Sequence, residues 1–538
     1  MMRRREFLTS SLAAAAATLA SRSARASSGL VEILLDEPVG TIAPELHGHF
    51  TEHIGEVIYG GVWVGENSKI PNVGGIRKAL VDRLRQLGAP VIRWPGGCFA
   101  DSYNWRDGVG PRTERPVRTN FWDNTTQLCK APDGPQKYDP NTFGTAEFMF
   151  FCRLAGAKPY LAANVRSLTP HDFDEWVEYC NSPAGSTTLA QTRAADGSRE
   201  PYNVTYWGIG NESWGCGGDF RPEEYAVEFR RFTSWVPDYG QKLRFIGSGP
   251  GADLRDPQVS WTRGFLGNLV AKSPDLLDRL YGLSMHYYCW TTGKGDSLEY
   301  TPDEWYQMLS QADFMDSLVP LHWSAMRDFD PGHKVKLVVD EWGAWHRNTP
   351  LGPAYLFNYV PSLRDALLSA LTLDIFNRHA EKLAMCNDAQ LVNNINTLFL
   401  AMEDRFVATT IFHVFDMYKS HQGGTSLRTV FDAPRISYGA GKTFWGLAGS
   451  ASLHGKALVV TVVNPHASEP QEAEISLRGA AAQSTQVTVL TANDIHAHND
   501  FDHPDAVTPK TEPANVSGSR FNWTFKPASV TKLEIELA

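Results

Sequence analysis

The sequence predicts an α/β protein: a (β/α)8 (TIM) barrel followed by a C-terminal, jelly-roll-like β-sandwich. Three observations predict it. Between residues 45 and 387, eight short apolar segments alternate with helical patterns, which implies a parallel sheet. Two of those segments end in a Glu that a Trp follows within two residues, and barrels present working groups at the C-terminal ends of their strands. Beyond about residue 433 the pattern turns to short strands between turn residues, without helical periodicity. A length of 538 residues suits one large barrel with an accessory domain.

The N-terminus reads as an address. Arg3-Arg4-Arg5-Glu6-Phe7-Leu8 carries a twin-arginine pattern, an Ala-rich apolar run follows, and Ala24-Arg25-Ala26 offers a cleavage site. Residues 1–26 are therefore expected to be a twin-arginine signal peptide, with the mature protein periplasmic or secreted. The run is too short to span a bilayer, and no other apolar stretch is long enough, so no membrane partner is expected. Residues 27–40 hold one strand ahead of the barrel, expected to join the C-terminal sandwich.

The barrel is expected over 41–430. Its strands are read at 45–50, 90–94, 158–164, 204–210, 243–247, 283–288, 336–341 and 383–387, with helical patterns such as 75–87, 145–154, 172–180, 222–234 and 363–378 between them. Links 105–141 and 181–200 are long, and long barrel loops are where specificity tends to lie. A last helix, 409–419, precedes the sandwich of 431–538. Strands there are read at 458–463, 485–490, 520–525 and 530–537.

Composition narrows the function. Hydrophobic residues make up 42% and charged residues 20%, enough to bury a large core without staples. The net charge of −10, without a Lys/Arg run, excludes a nucleic-acid footprint. The seven Cys are odd in number, dispersed, and form no C-x-x-C, so neither a disulfide scaffold nor a zinc site is predicted.

Two carboxylates carry the chemistry. Tyr206-Trp207-Gly208-Ile209-Gly210-Asn211-Glu212-Ser213-Trp214-Gly215-Cys216-Gly217-Gly218 is a strand running into a glycine-rich loop, with Glu212 at the junction. Leu337-Val338-Val339-Asp340-Glu341-Trp342 repeats the arrangement. Glu212 ends the fourth strand and Glu341 the seventh, so both project from the same face. Two carboxylates across a barrel mouth are what glycoside hydrolysis needs: one protonates the leaving oxygen, the other attacks or activates water. Two structural Glu at strand ends are the plainer reading, and the repeated pairing with Trp argues against it.

These residues resemble a known family. Gly208-Ile209-Gly210-Asn211-Glu212 with Trp214-Gly215-Cys216-Gly217-Gly218 is similar to the acid/base motif of glycoside hydrolase family 51, the α-L-arabinofuranosidases, and Asp340-Glu341-Trp342 to its nucleophile motif. The resemblance extends through Gly48-His49-Phe50-Thr51-Glu52-His53, Arg93-Trp94-Pro95-Gly96-Gly97-Cys98-Phe99, Arg115-Pro116-Val117-Arg118, His286-Tyr287-Tyr288 and Ala389-Gln390-Leu391-Val392-Asn393. It implies a retaining exo-glycosidase that removes α-L-arabinofuranosyl residues from plant polysaccharides or oligosaccharides, with Glu341 as nucleophile and Glu212 as acid/base. It also implies substrate-binding roles for Glu52, Arg93, Asn211, His286, Tyr288 and Gln390, with Trp122 lining the pocket. Glu341 is expected to be held ionised by Arg93 or Tyr288. No cofactor or metal is implied; a homo-oligomer, commonly a hexamer, is. Some family members carry Asn where Cys98 stands, and a thiol is the weaker hydrogen-bond partner, so Cys98 is left outside the catalytic set.

Other readings stay open at this stage. On the same barrel, β-xylosidase or endo-β-glucanase activity would use the same two Glu. His47-x-His49 at the first strand, with His286, is how metal-dependent amidohydrolases begin, although 204–210 and 243–247 supply no further ligand. A non-catalytic carbohydrate-binding protein would keep the site without the chemistry.

Overall fold

A computed structural model describes residues 29–122, 138–291, 296–346 and 360–538. The expected signal peptide and part of the link 105–141 lie outside the described residues. The described residues begin with strand β1 (Gly29–Thr41). The barrel strands follow: β2 (Gly48–Phe50), β3 (Val91–Trp94), β4 (Lys158–Ala163), β5 (Tyr206–Ile209), β6 (Arg244–Gly247), β7 (Leu280–Trp290), β8 (Lys336–Trp345) and β9 (Leu383–Ala389). Their order is β6-β5-β4-β3-β2-β9-β8-β7, and a β6–β7 pairing closes the ring. All eight predicted strands are present. The first is shorter than expected because Pro44–His47 turns as a 3-10 helix before it.

The helices fully within the described residues are α1 (Lys78–Leu87), α2 (Thr145–Ala155), α3 (Pro170–Asn181), α4 (Thr188–Ala195), α5 (Pro222–Phe232), α6 (Val259–Lys272), α7 (Pro302–Met326), α8 (Leu363–Arg378) and α9 (Thr410–Tyr418). Helix α1 shows the local logic. Leu80, Val81, Leu84 and Leu87 form its buried stripe, and Gly88 ends it in the left-handed region. Helix α3 starts at a Thr169–Asp172 capping box with Pro170 in its first turn. Helix α4 corrects the reading of 181–200 as a plain loop. It has little apolar period; instead Arg193, fully buried, donates to the carbonyls of Tyr179, Ser182, Ser198 and Arg199 and ties the segment down.

The C-terminal strands are β10 (Thr425–Asp432), β11 (Ala448–His454), β12 (Ala457–Asn464), β13 (Gln471–Arg478), β14 (Ala482–Thr491), β15 (Lys510–Ala514), β16 (Arg520–Phe525) and β17 (Ser529–Leu537). They form one sheet in the order β15-β14-β17-β12-β11-β10-β1-β13-β16. The sheet folds over itself, since Ala514 on one end strand and Phe525 on the other touch the same core. Strand β1 runs antiparallel to β10 and parallel to β13, with Val31 and Ile33 pointing into that core. The sheet takes in Thr425–Asp432, so the sandwich starts a few residues before the 431 read from the sequence.

Helix α8 lies between the two units, buried through almost its whole length. Its Asp374 accepts from the hydroxyls of Ser450 (2.6 Å), Thr461 (2.6 Å) and Tyr418 (2.8 Å), so polar pegs as well as apolar packing fasten barrel to sandwich. Among the described residues no helix is long and apolar enough to cross a membrane.

Candidate active site

The mouth of the barrel collects the polar residues of the strand ends. Arg93, on β3, is buried and forked. Its Nη1 donates to Glu341 Oε1 (2.8 Å) and its Nη2 to Asn211 Oδ1 (2.6 Å). Asn211 therefore presents its Nδ2 away from the arginine, because Oδ1 is occupied. Glu341 takes a second donor, the Tyr288 hydroxyl, at Oε2 (3.0 Å). A bulge in the β7–β8 pairing leaves one extra residue on β8, and both Asp340 and Glu341 reach into the barrel. Asp340 accepts from the Tyr160 hydroxyl (2.9 Å) across the lumen.

His286, on β7, bridges the two candidate carboxylates. Its Nδ1 lies 3.0 Å from Glu212 Oε1 and 3.5 Å from Glu341 Oε2. One oxygen of each Glu and the ring nitrogen all lie within 4.8 Å of one another. Burial alone pushes the Glu341 carboxyl up, but His286, the Arg93 guanidinium and the Tyr288 hydroxyl outweigh it and hold the group below its ordinary value. Burial likewise opposes charge on His286, and the two glutamates overcome it and raise the ring above its ordinary value.

On the other side of the pocket Glu52 is enclosed by donors: the Phe99 amide (3.0 Å) and the Trp122 indole (2.7 Å) at Oε1, and Gln390 Nε2 (3.1 Å) at Oε2. Burial and the neighbouring Glu341 push its pKa to about 7 against these donors. Gly96 and Gly97 let the β3 loop pass this close. A Cβ on Gly96 would meet Glu52 Cγ at 2.7 Å, and one on Gly97 would meet Glu341 Oε1 at 2.6 Å.

The nine residues expected from the sequence to catalyse or to bind the sugar meet in one constellation: Glu52, Arg93, Trp122, Asn211, Glu212, His286, Tyr288, Glu341 and Gln390. All but Arg93, Asn211 and Gln390 line or bond directly at a cavity of about 710 Å³, whose outer wall holds Trp214 and the stacked pair Trp290 and Trp345, with ring centroids 4.5 Å apart. Trp342, read from the sequence as an aromatic beside Glu341, points away and packs on Phe376 and Phe415. Asp101 was missed. It is fully buried and accepts from the amides of Val165, Arg166 and Asn211, fixing the turn into Glu212, and burial pushes its pKa to about 7.

Two further expectations are corrected. Cys98 and Cys216 form a disulfide at the pocket wall, although the cysteine pattern predicted none. The other four described cysteines are free and buried. The H-x-H reading also falls. His47 and His49 are buried, His49 packs on Phe415, and burial pushes their pKa values to about 4 and about 3. Among the described residues neither joins a cluster of three metal-donor side chains. Glu212, His286 and Glu341 have donor spacing, and His286 here serves as the hydrogen-bonding bridge between the two carboxylates.

Comparison with known proteins gives the family. The family model for the α-L-arabinofuranosidase 1 domain matches residues 83–293, and that for the α-L-arabinofuranosidase C-terminal domain matches residues 340–529. The chain is 35% identical to an intracellular exo-α-L-arabinofuranosidase of Bacteroides ovatus over 90% of each chain. It is 29% identical to α-L-arabinofuranosidase C of Emericella nidulans over 86% of this chain and 90% of that one. Among solved structures, the GH51 arabinofuranosidase from Xanthomonas axonopodis pv. citri superposes with a TM-score of 0.87 at 35% identity, covering 94% of this chain and all (100%) of that one. The α-L-arabinofuranosidase from Thermotoga maritima, an arabinose complex, gives 0.80 at 27% identity, covering 95% and 100%. The chain belongs to glycoside hydrolase family 51, the α-L-arabinofuranosidases.

Proposed function

We propose that this enzyme removes terminal non-reducing α-L-arabinofuranosyl residues from arabinose-containing polysaccharides or oligosaccharides by a retaining double displacement. One observation carries the mechanism: one carboxyl oxygen of Glu212 and one of Glu341 lie within 4.8 Å of each other, an atom-to-atom distance that fits the shorter of the two separations glycosidases use. Retaining glycosidases hold their carboxyl groups about 5–5.5 Å apart, whereas inverting ones leave room for a water at about 6.5–9.5 Å. In the first step Glu341 attacks the anomeric carbon, the bond to the aglycone oxygen breaks, and Glu212 gives that oxygen its proton. In the second, Glu212 takes a proton from water, the water oxygen bonds the anomeric carbon, and Glu341 leaves.

The supporting residues divide the work. Arg93 and Tyr288 keep Glu341 ionised, and His286 links the charge of the two carboxylates. Asn211 donates through Nδ2 to the sugar 2-hydroxyl, its amide fixed by Arg93. Glu52, oriented by Trp122 and Gln390, takes the remaining hydroxyls. Trp214, Trp290 and Trp345 offer flat faces to whatever the arabinose is attached to.

The test is hydrolysis of chromogenic α-L-arabinofuranoside, β-xyloside and β-glucoside by wild type and Glu341→Ala. Arabinofuranoside cleavage abolished by the substitution is expected. A xyloside or glucoside cleaved faster would replace the substrate assignment, and full activity in Glu341→Ala would overturn the mechanism. We also propose export by the twin-arginine route, supported by Arg3-Arg4-Arg5-Glu6-Phe7-Leu8 and the Ala-rich run after it. N-terminal sequencing of the enzyme from a periplasmic fraction tests this, and an intact Met1 would refute it. A homo-oligomer rests on the family resemblance, and light scattering measures it.

A further inference from the structure

The disulfide Cys98–Cys216 joins two loops of the site across 118 residues of sequence. Cys98 follows Gly96-Gly97 after β3, and Cys216 lies in the loop 211–218 after β5, four residues beyond Glu212. Both sulfurs face one atom. Glu212 Oε2 is 3.6 Å from Cys216 Sγ and 3.8 Å from Cys98 Sγ, while Oε1 is with His286. A disulfide sulfur carries no hydrogen, so these are contacts and not hydrogen bonds.

The loop needs holding. Glu212 has φ +39°, a left-handed conformation that a non-glycine residue keeps only when its surroundings enforce it. The Asn211 amide on Asp101 (2.9 Å) and the Ser213 amide on Ser248 (3.1 Å) fix its backbone from the barrel side. The disulfide is the covalent tie on the pocket side, where Cys98 lines the cavity.

We propose that Cys98–Cys216 positions the acid/base. It clamps the Glu212 loop to the Gly96-Gly97 loop and faces Oε2 with two sulfurs that cannot donate, leaving that oxygen to carry the proton for the leaving group. The proposal rests on the reading of Glu212 as acid/base. It has a redox consequence. Both cysteines are only partly buried, so a dithiol reductant reaches them from the cavity. Its thiolate attacks one sulfur, a mixed disulfide forms, and its second thiol displaces the other cysteine; the reductant leaves as a cyclic disulfide and two protons end on Cys98 and Cys216. The clamp is then open, and each new S–H can donate to Oε2.

The experiment uses the full enzyme, oxidised or treated with dithiothreitol, and reads kcat/KM, which reports the glycosylation step. One substrate is an aryl arabinofuranoside whose leaving group needs little protonation; the other is an alkyl arabinofuranoside that needs a great deal. Reduction should expose two titratable thiols. It should leave the aryl substrate within about 2-fold and cut the alkyl substrate about 10-fold or more, a share of the roughly 10²–10⁴ that a general acid supplies. Reoxidation should restore it. The Cys98→Ala/Cys216→Ala variant should show the same selective loss without recovery, and if it folds poorly the reversible wild-type experiment stands alone. No new thiols, an equal loss on both substrates, or no loss on either would overturn the proposal. Glu212→Ala separates the two ideas: if it shows no preference between leaving groups, the reading of Glu212 falls and not merely the role of the disulfide.

Discussion

The close approach of the Gly97 backbone to the nucleophile makes the sharpest prediction. Gly97 carries no side chain, and an alanine Cβ there would stand 2.6 Å from Glu341 Oε1. Ordinary contacts begin at 3.4 Å, so carboxylate and methyl would have to part by about 0.8 Å. The φ of Gly97 is not positive, so the backbone itself tolerates alanine. Arg93 Nη1 is 2.8 Å from the same oxygen, and a displacement of that size can stretch this bond past hydrogen-bond length. A misplacement of about 1 Å in a reacting group costs on the order of 10²-fold in rate, equivalent to about 2.7 kcal/mol of barrier. The methyl should cost about 1–3 kcal/mol of stability by overpacking, which leaves a barrel of this size folded. Steady-state kinetics of Gly97→Ala on a chromogenic arabinofuranoside, beside a thermal melt, measure both effects. A folded variant within twofold of wild-type kcat/KM would refute the inference that Glu341 must sit where Arg93 and Tyr288 hold it.

Two other perturbations test the electrostatics and the support. His286→Asn removes a cation that holds Glu341 below its ordinary value. Losing it lets the nucleophile protonate at higher pH, so the acid limb of kcat/KM should move upward, and an unmoved limb would contradict the coupling. Asp101→Asn sets an amide NH2 against at least one of the three backbone N–H groups the carboxylate accepts. That should cost about 1–3 kcal/mol in thermal stability and lower kcat through the displaced Asn211–Glu212 turn; an unchanged melting temperature would show that the three amides need no carboxylate.

The eight barrel strands were legible because each is a short apolar run bounded by helical pattern, and Glu212 and Glu341 were legible because strand ends aim side chains at one face. What escaped has a common physical cause: partners distant in sequence. Asp101 looks like a surface aspartate until Val165, Arg166 and Asn211 bring their amides to it. Cys98 and Cys216 look like two scattered thiols until the β3 and β5 loops meet. Helix α4 was hidden because a buried arginine, and no apolar stripe, anchors it. Trp342 misled for the converse reason. It adjoins Glu341 in sequence, yet its indole packs on Phe376 and Phe415 outside the site.

Strand β1 sits inside the C-terminal sheet, between β10 and β13, and Thr41 at its end pairs with Thr425. Topologically the whole barrel is an insertion between the first and second strands of the sandwich. A ribosome releases β1 first and its two neighbours only after the barrel sequence has emerged, so β1 spends synthesis as an open strand edge, exposed to mispairing. The nine-stranded sandwich sheet stays incomplete until β10 and β13 have been made, and no single cut of the chain separates barrel from sandwich.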